Sequence, residues 1–166
     1  PGLQCELSGA PLENIHQVCS ESSKFLKEIE GASKGLDINT VSIGFDPFNN
    51  LSDVPQSPKT RYKIMTSEMP KGGKQSLEMM YRTCGIQINY DYTSESNFEK
   101  IFRLGNYLTP LTIALYSNSP FESGKPTGYY SYRNKVWQNT ARGGIMPITF
   151  EKMTFEKYFD HVIEYP

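Results

Sequence analysis

Histidine, cysteine and tryptophan are scarce in this chain, at two, three and one of 166 residues. The two histidines, His16 and His161, form no two-histidine metal motif, and neither is assigned a role. Cys5, Cys19 and Cys84 share no metal-ligand spacing and cannot all pair within one chain, which argues against a secreted disulfide scaffold and sets the expectation of a cytoplasmic protein. Charge of one sign is also missing. Seventeen basic residues face eighteen acidic ones, a net charge of −1, so no basic field exists to hold nucleic acid or an anionic membrane. Long apolar runs are absent too: the stretch around Leu108 to Tyr116 is interrupted by Thr109, Pro110 and Thr112 and falls well short of the roughly 20 residues that span a bilayer. No signal peptide is recognisable. Neither a phosphate-cradling loop ending in Gly-Lys-Ser/Thr nor a dinucleotide fingerprint occurs.

What is present reads as one domain over residues 1–166, with no repeat, low-complexity tract or linker to divide it. Leu3 to Leu7 suits a strand. Ser8-Gly9-Ala10-Pro11 then makes a turn, and Leu12, Ile15, Cys19, Leu26 and Ile29 recur at helical spacing as far as Gly31. Thr40 to Phe45 suits a second strand, stopped by Asp46-Pro47 and a loop to Pro58. Lys59 to Met69 and Gln75 to Tyr81 are expected as short helices around Gly72-Gly73. Thr83 to Tyr92 alternates clearly, with Cys84, Ile86, Ile88 and Tyr90 on one face and Gln87, Asn89 and Asp91 on the other. Ser96-Asn97-Phe98-Glu99 offers a capping box for a long helix kinked at Pro110. An irregular loop from Asn118 to Gly128 and a last helix over Thr154 to Glu164 complete an α+β class with an incomplete sheet. Pro1 is no initiator methionine and the opening strand has no hairpin partner before it, so the chain is expected to be an internal piece of a longer protein.

Several residues carry two readings. The row Gln87, Asn89, Asp91 is either the solvated face of an antiparallel sheet or the wall of a concave site, where amides donate and accept together. Arg61 and Arg133, in segments bounded by Gly and Pro, are either surface cations or forks for a substrate carboxylate. Glu6 is either exposed or a metal ligand. Lys71-Gly72-Gly73-Lys74 is an exposed turn or a phosphate contact. Cys84 is expected to be a buried, inert thiol rather than a nucleophile activated by Arg82.

Glu6-Leu7-Ser8-Gly9-Ala10-Pro11-Leu12-Glu13 resembles a core strand and following helix of plant-type and proteobacterial glutamate-cysteine ligases. Further blocks resemble that family in the same order: Gly44-Phe45, Arg61-Tyr62-Lys63-Ile64-Met65, Met69-Pro70-Lys71, Met79-Met80-Tyr81-Arg82-Thr83-Cys84, Gln87-Ile88-Asn89, Asn118-Ser119-Pro120-Phe121, Gly124-Lys125-Pro126 and Ser131-Tyr132-Arg133. The likeness runs from about Leu3 to Pro166, and family members extend on both sides of it.

The resemblance implies part of a glutamine-synthetase-like catalytic domain, a curved and mainly antiparallel sheet flanked by helices. It implies ATP-dependent ligation of the glutamate gamma-carboxylate to the cysteine amine through a gamma-glutamyl phosphate, the first step of glutathione biosynthesis, with Mg2+ offsetting phosphate charge. Carried over by position, Glu6 would be a magnesium ligand, while Arg61 and Arg133 would bind oxygens around the glutamate, with Arg133 the catalytic candidate. Gln87 and Asn89 would face the metal and nucleotide, and Thr83 and Met80 would line the glutamate pocket. Cys19 matches a position that in plant members can join a regulatory disulfide. The chain alone is expected to be inactive. A related ligase with another amine, or a non-catalytic binding domain, remain the alternative readings.

Overall fold

The computed structural model describes residues 1–140 and 152–164. Backbone contacts divide the chain into two compact units, Cys5–Ser42 and the remainder, Pro1–Gln4 with Ile43–Pro166. Each is described by itself.

The smaller unit is built on α1, Ile15–Ser33. Pro11 does not start this helix. Asn14 does, because its side-chain oxygen accepts from the Gln17 amide at 3.1 Å and satisfies one of the orphan donors of the first turn. Gly31 does not end it either, since one glycine costs only about 1 kcal/mol in a helix interior and the first left-handed residue comes later, at Asp37. The segment leading in is tied back by Glu21, whose carboxylate accepts from the Ala10 amide at 3.0 Å. Cys19 is exposed, not packed against a helix surface.

In the larger unit the helices are α2, Thr60–Glu68; α3, Ser76–Arg82; α4, Glu95–Leu115; α5, Tyr132–Gln138; and α6, Phe155–Ile163. Four of these fall where the sequence leads one to expect helices, α4 and α6 by apolar spacing and α2 and α3 by their flanking Pro and Gly; α5 is not among the expected elements. The cap of α4 also differs from the Ser96 box: Ser94 accepts from the Asn97 amide at 3.1 Å, and Glu99 pairs with Arg103 instead. Pro110 sits inside α4, which continues past it to Leu115.

The sheet is much smaller than expected. It consists of β1, Phe121–Glu122, paired antiparallel with β2, Lys125–Pro126, and it lies in the stretch expected to be an irregular loop. The tight turn between them places Ser123 and Gly124 at φ 48° and 74°, a geometry that glycine meets without strain. Leu3 to Leu7 takes no ladder partner among the described residues. The strands expected at Thr40 to Phe45 and Thr83 to Tyr92 reduce to a single antiparallel bridge, Phe45 with Thr83, supported by Cys84 N–H to Gly44 O at 3.0 Å and Asp46 N–H to Arg82 O at 2.9 Å. Alternation states which face a strand would bury, and a ladder additionally needs a neighbour. The mixture of helices with a small antiparallel hairpin is an α+β arrangement.

Three packing centres hold this unit. Val54, Met80 and Tyr81 are buried with Leu51, Tyr62, Met65, Met69 and Leu77 around them. Phe45, Val136 and Ser119 are sealed from solvent at the second, where the Tyr132 ring meets Phe45 edge-on at 5.0 Å. The third is aromatic: Phe98 contacts Tyr92, Phe102, Phe155 and Tyr158, and Glu95 accepts from the Phe155 amide at 2.9 Å, so α4 and α6 are joined by both rings and a cap.

Candidate active site

Helix α5 presents Arg133 to the backbone just beyond α3. Its start is fixed by Ser119, buried and hydrogen-bonded to it twice: the Tyr132 amide donates to Ser119 O at 2.9 Å and the Arg133 amide to Ser119 Oγ at 3.2 Å. With the helix so placed, the guanidinium of Arg133 reaches the chain at Cys84-Gly85. Arg133 Nε donates to Cys84 O at 2.7 Å, and a Cβ on Gly85 would lie 2.7 Å from Nη2. The carbon of the guanidinium stands 5.4 Å from the centre of the Trp137 indole, one helical turn further along α5. No carboxylate pairs with Arg133 among the described residues, and its two Nη groups have no partner there. Burial pushes its pKa down, with Cys84 opposing, yet a guanidinium remains cationic at any physiological pH. A half-buried, fixed cation with an open fork is suited to a carboxylate or phosphoryl group.

Thr83 and Met80 lie on the α3 side of this point. Thr83 is half-buried, and its hydroxyl donates to Met79 O at 2.6 Å. Met80 is in the core with Val54 and Tyr81, where its side chain packs against protein. Gln4 closes the end of α3 by donating to Met80 O and Thr83 O at 3.0 and 3.2 Å. Gln87 and Asn89 follow Gly85 along the chain and are exposed, without a ladder around them.

Within the larger unit, Arg61 and Lys71 are not brought into this cluster by any contact among the described residues. Arg61 is exposed on α2 and engages its neighbour, Nη2 donating to the Tyr62 hydroxyl at 2.6 Å with the guanidinium over the same ring. Glu6 is exposed in the smaller unit, and no group of three or more potential metal ligands occurs among the described residues. Lys71 pairs with Glu68, as suits an exposed turn. Cys84 is exposed as a residue rather than buried, but its thiol is shielded enough that burial pushes its pKa up against the pull of Arg133. Burial thus favours the thiol over the thiolate there.

Sequence reasoning passed over two residues. Arg82, noted there as a neighbour of Cys84 and as part of a family-like block but given no role, is 3% exposed. It pairs with Glu78 at 2.8 Å and Glu122 at 3.5 Å, donates to Asp46 O at 3.2 Å and lies over the Phe45 ring at 4.4 Å. These contacts fasten α3 to the 45–50 loop and to the β1–β2 hairpin. Trp137 went unremarked, although its spacing of four from Arg133 was a readable signal once a helix is granted.

A model of the family described as glutamate-cysteine ligase family 2 (GCS2) matches residues 1–166. Among curated proteins, chloroplastic glutamate-cysteine ligase A of Oryza sativa subsp. japonica is 44% identical over 169 residues, covering 100% of this chain and 34% of the relative. The chloroplastic glutamate-cysteine ligases of Nicotiana tabacum and Arabidopsis thaliana are each 43% identical over the same span, covering 100% of this chain and 32% of each relative. The chain thus spans about a third of the length of the curated relatives it matches. Their chloroplastic setting overturns the cytoplasmic expectation, which rested on unpaired cysteines; a lack of disulfides reports on redox chemistry and does not distinguish one reducing compartment from another. No helix of the described residues is long and apolar enough to cross a membrane. With the match running from the first residue to the last, the chain belongs to glutamate-cysteine ligase family 2.

Proposed function

We propose that the protein to which this chain belongs is an ATP-dependent glutamate-cysteine ligase of plastids, acting in glutathione biosynthesis. The observation that carries the reading is the Arg133 guanidinium, fixed through Nε and left with an open fork. In this account Arg133 grips an anionic oxygen pair of bound glutamate. The gamma-carboxylate attacks the gamma-phosphorus of ATP, ADP departs, and the gamma-glutamyl phosphate formed is attacked by the cysteine amine, which loses a proton as phosphate leaves. A fixed cation lowers the cost of holding the substrate close to the transferring group without reorganising at each turnover.

The remaining assignments extend this reading. Thr83, next to Cys84 in the chain, would offer its hydroxyl oxygen to the substrate, and Met80 would shape the pocket from behind as part of the core. Gln87 and Asn89 would face nucleotide and metal once their segment joins a glutamine-synthetase-like sheet. Arg61 would be a second anion contact. Mg2+ would supply charge neutralisation on the phosphates; one exposed carboxylate, Glu6, fits as a partial ligand, because this ion is commonly held by one or two carboxylates plus phosphate oxygens and water. The chain by itself would have no ligase activity.

The test is amide formation by the full-length protein from glutamate, cysteine and Mg-ATP, comparing wild type with Arg133→Ala. Production of gamma-glutamylcysteine that falls at least 100-fold in the variant, of the order expected when a charge-bearing contact to the reacting group is lost, supports the reading. Turnover only with a different amine moves the assignment to a sister ligase, and no turnover with any amine leaves a binding role.

A further inference from the structure

We propose that Trp137 is a positioning residue for Arg133, holding the guanidinium by its indole face so that the fork stays oriented while its Nη donors stay unpaired. The inference rests on the reading of Arg133 as the substrate-carboxylate contact. Two restraints act on that guanidinium among the described residues: the Cys84 carbonyl on Nε at 2.7 Å and the indole, 5.4 Å from the guanidinium carbon. Both leave the Nη donors untouched. An acidic partner would orient the group equally well, but it would occupy those donors and cancel the positive potential that an incoming carboxylate needs. An aromatic face attracts the cation through its quadrupole and accepts none of the in-plane hydrogen bonds.

The polar edge of Trp137 does not explain its presence. Its Nε1 is buried with no hydrogen-bond partner among the described residues, a feature that costs stability and that an aliphatic or phenyl side chain would avoid. The ring face is the part in use. Placement is local as well, since Arg133 and Trp137 stand four apart on the seven-residue α5, where side chains at that spacing lie over one another.

The experiment uses full-length enzyme with glutamate varied at saturating Mg-ATP and cysteine. Trp137→Leu is expected to raise KM for glutamate about tenfold, within the range a partly desolvated cation–π contact supports. KM for ATP and kcat should move less than about threefold, as for loss of uniform substrate binding. Trp137→Phe, which keeps a smaller and weaker face, should fall between wild type and the Leu variant. In the Arg133→Ala background, Trp137→Leu should add less than about twofold, because the contact it supports is already gone. Should the Leu variant fail to fold, the series Trp, Tyr, Phe gives the same answer: KM for glutamate must rise along it while the unfolding midpoint does not follow. Equal KM values across that series, or a full additional loss in the Arg133→Ala background, would overturn the proposal while leaving Arg133 as the contact. If Arg133→Ala itself leaves glutamate turnover intact, the carboxylate reading fails and this inference falls with it.

Discussion

Arg82 and Arg133 sit at opposite ends of one short stretch of backbone, Arg82 to Cys84, and are treated in opposite ways. Arg82 is sealed, and its charge is paired: two carboxylates, a backbone carbonyl and the Phe45 ring surround it, with Nε alone left without a hydrogen-bond partner among the described residues. Arg133 is half-buried, is held by one carbonyl and one ring, and keeps its fork. On the proposed reading, the difference separates an arginine that builds the fold from one that serves a site. The same side chain, positioned by acids, becomes a rivet; positioned by neutral groups, it remains an unsatisfied cation awaiting an anion.

The sharpest way to break this contrast is Arg82→Ala. Removing one partner of a buried ionic cluster leaves the acids and the Asp46 carbonyl uncompensated, so unfolding free energy should fall by about 3–5 kcal/mol, or roughly 10 °C in Tm for a chain of this size. Denaturant unfolding of the variant checks it; a loss under about 1 kcal/mol would erase the distinction. A smaller effect belongs to Asp46→Ala. The Asp46 carboxylate accepts from the Phe48 and Asn49 amides and from Asn49 Nδ2 at 3.0, 3.1 and 2.8 Å, and its loss should cost about 1–2 kcal/mol. Glu122→Gln keeps an acceptor while removing one of the two charges on Arg82, for an expected loss of about 1 kcal/mol. Arg133→Ala removes one hydrogen bond and one ring contact and should cost about 1 kcal/mol, well below Arg82→Ala, even where the proposed function makes it the larger loss in turnover.

Acid gives a further handle on the loop that Arg82 anchors. Burial pulls the Asp46 pKa up, but the hydrogen bonds from Asn49 and Phe48 together with the nearby Arg82 outweigh it, and the folded value lies below the ordinary 3.8. A carboxyl whose pKa is depressed by folding contributes stability that is present above its unfolded pKa and is lost as pH falls through the folded one. The stability gap between wild type and Asp46→Asn should therefore be full at pH 6 and close progressively below about pH 4. A gap that does not change with pH would show that charge at this position is irrelevant.

The sequence revealed the helices better than the sheet, and for a physical reason. Asn14, Ser94 and Thr154 cap α1, α4 and α6 through their own neighbours, so the information is local even where the cap was misplaced by two or three residues. Helix α5 has no side-chain cap at Ser131 and only seven residues; its place is set by Ser119 from a distance, which no local pattern announces. The alternation from Cys84 to Tyr90 is plain in the sequence, but whether it becomes a strand depends on a partner elsewhere. Of the candidate site, Arg133 was legible from its setting and from the resemblance of Ser131-Tyr132-Arg133 to the family. The indole beneath it was legible only through the helix, and the burial of Arg82 needed two acids drawn from separate elements.

That unpaired alternation carries an expectation for the chain in solution. Ile86 is 93% exposed, and Ile88, Tyr90 and Tyr92 are exposed with it, in a stretch from Ile86 to Tyr92 containing one charged residue, Asp91, and no proline. Open backbone bearing such side chains is a template for strand pairing between molecules. The chain on its own should therefore self-associate as its concentration rises, through intermolecular β-structure centred on this segment. Ile88→Lys, which places a second charge in the middle of that stretch, should keep it monomeric in light scattering to markedly higher concentration than the wild type.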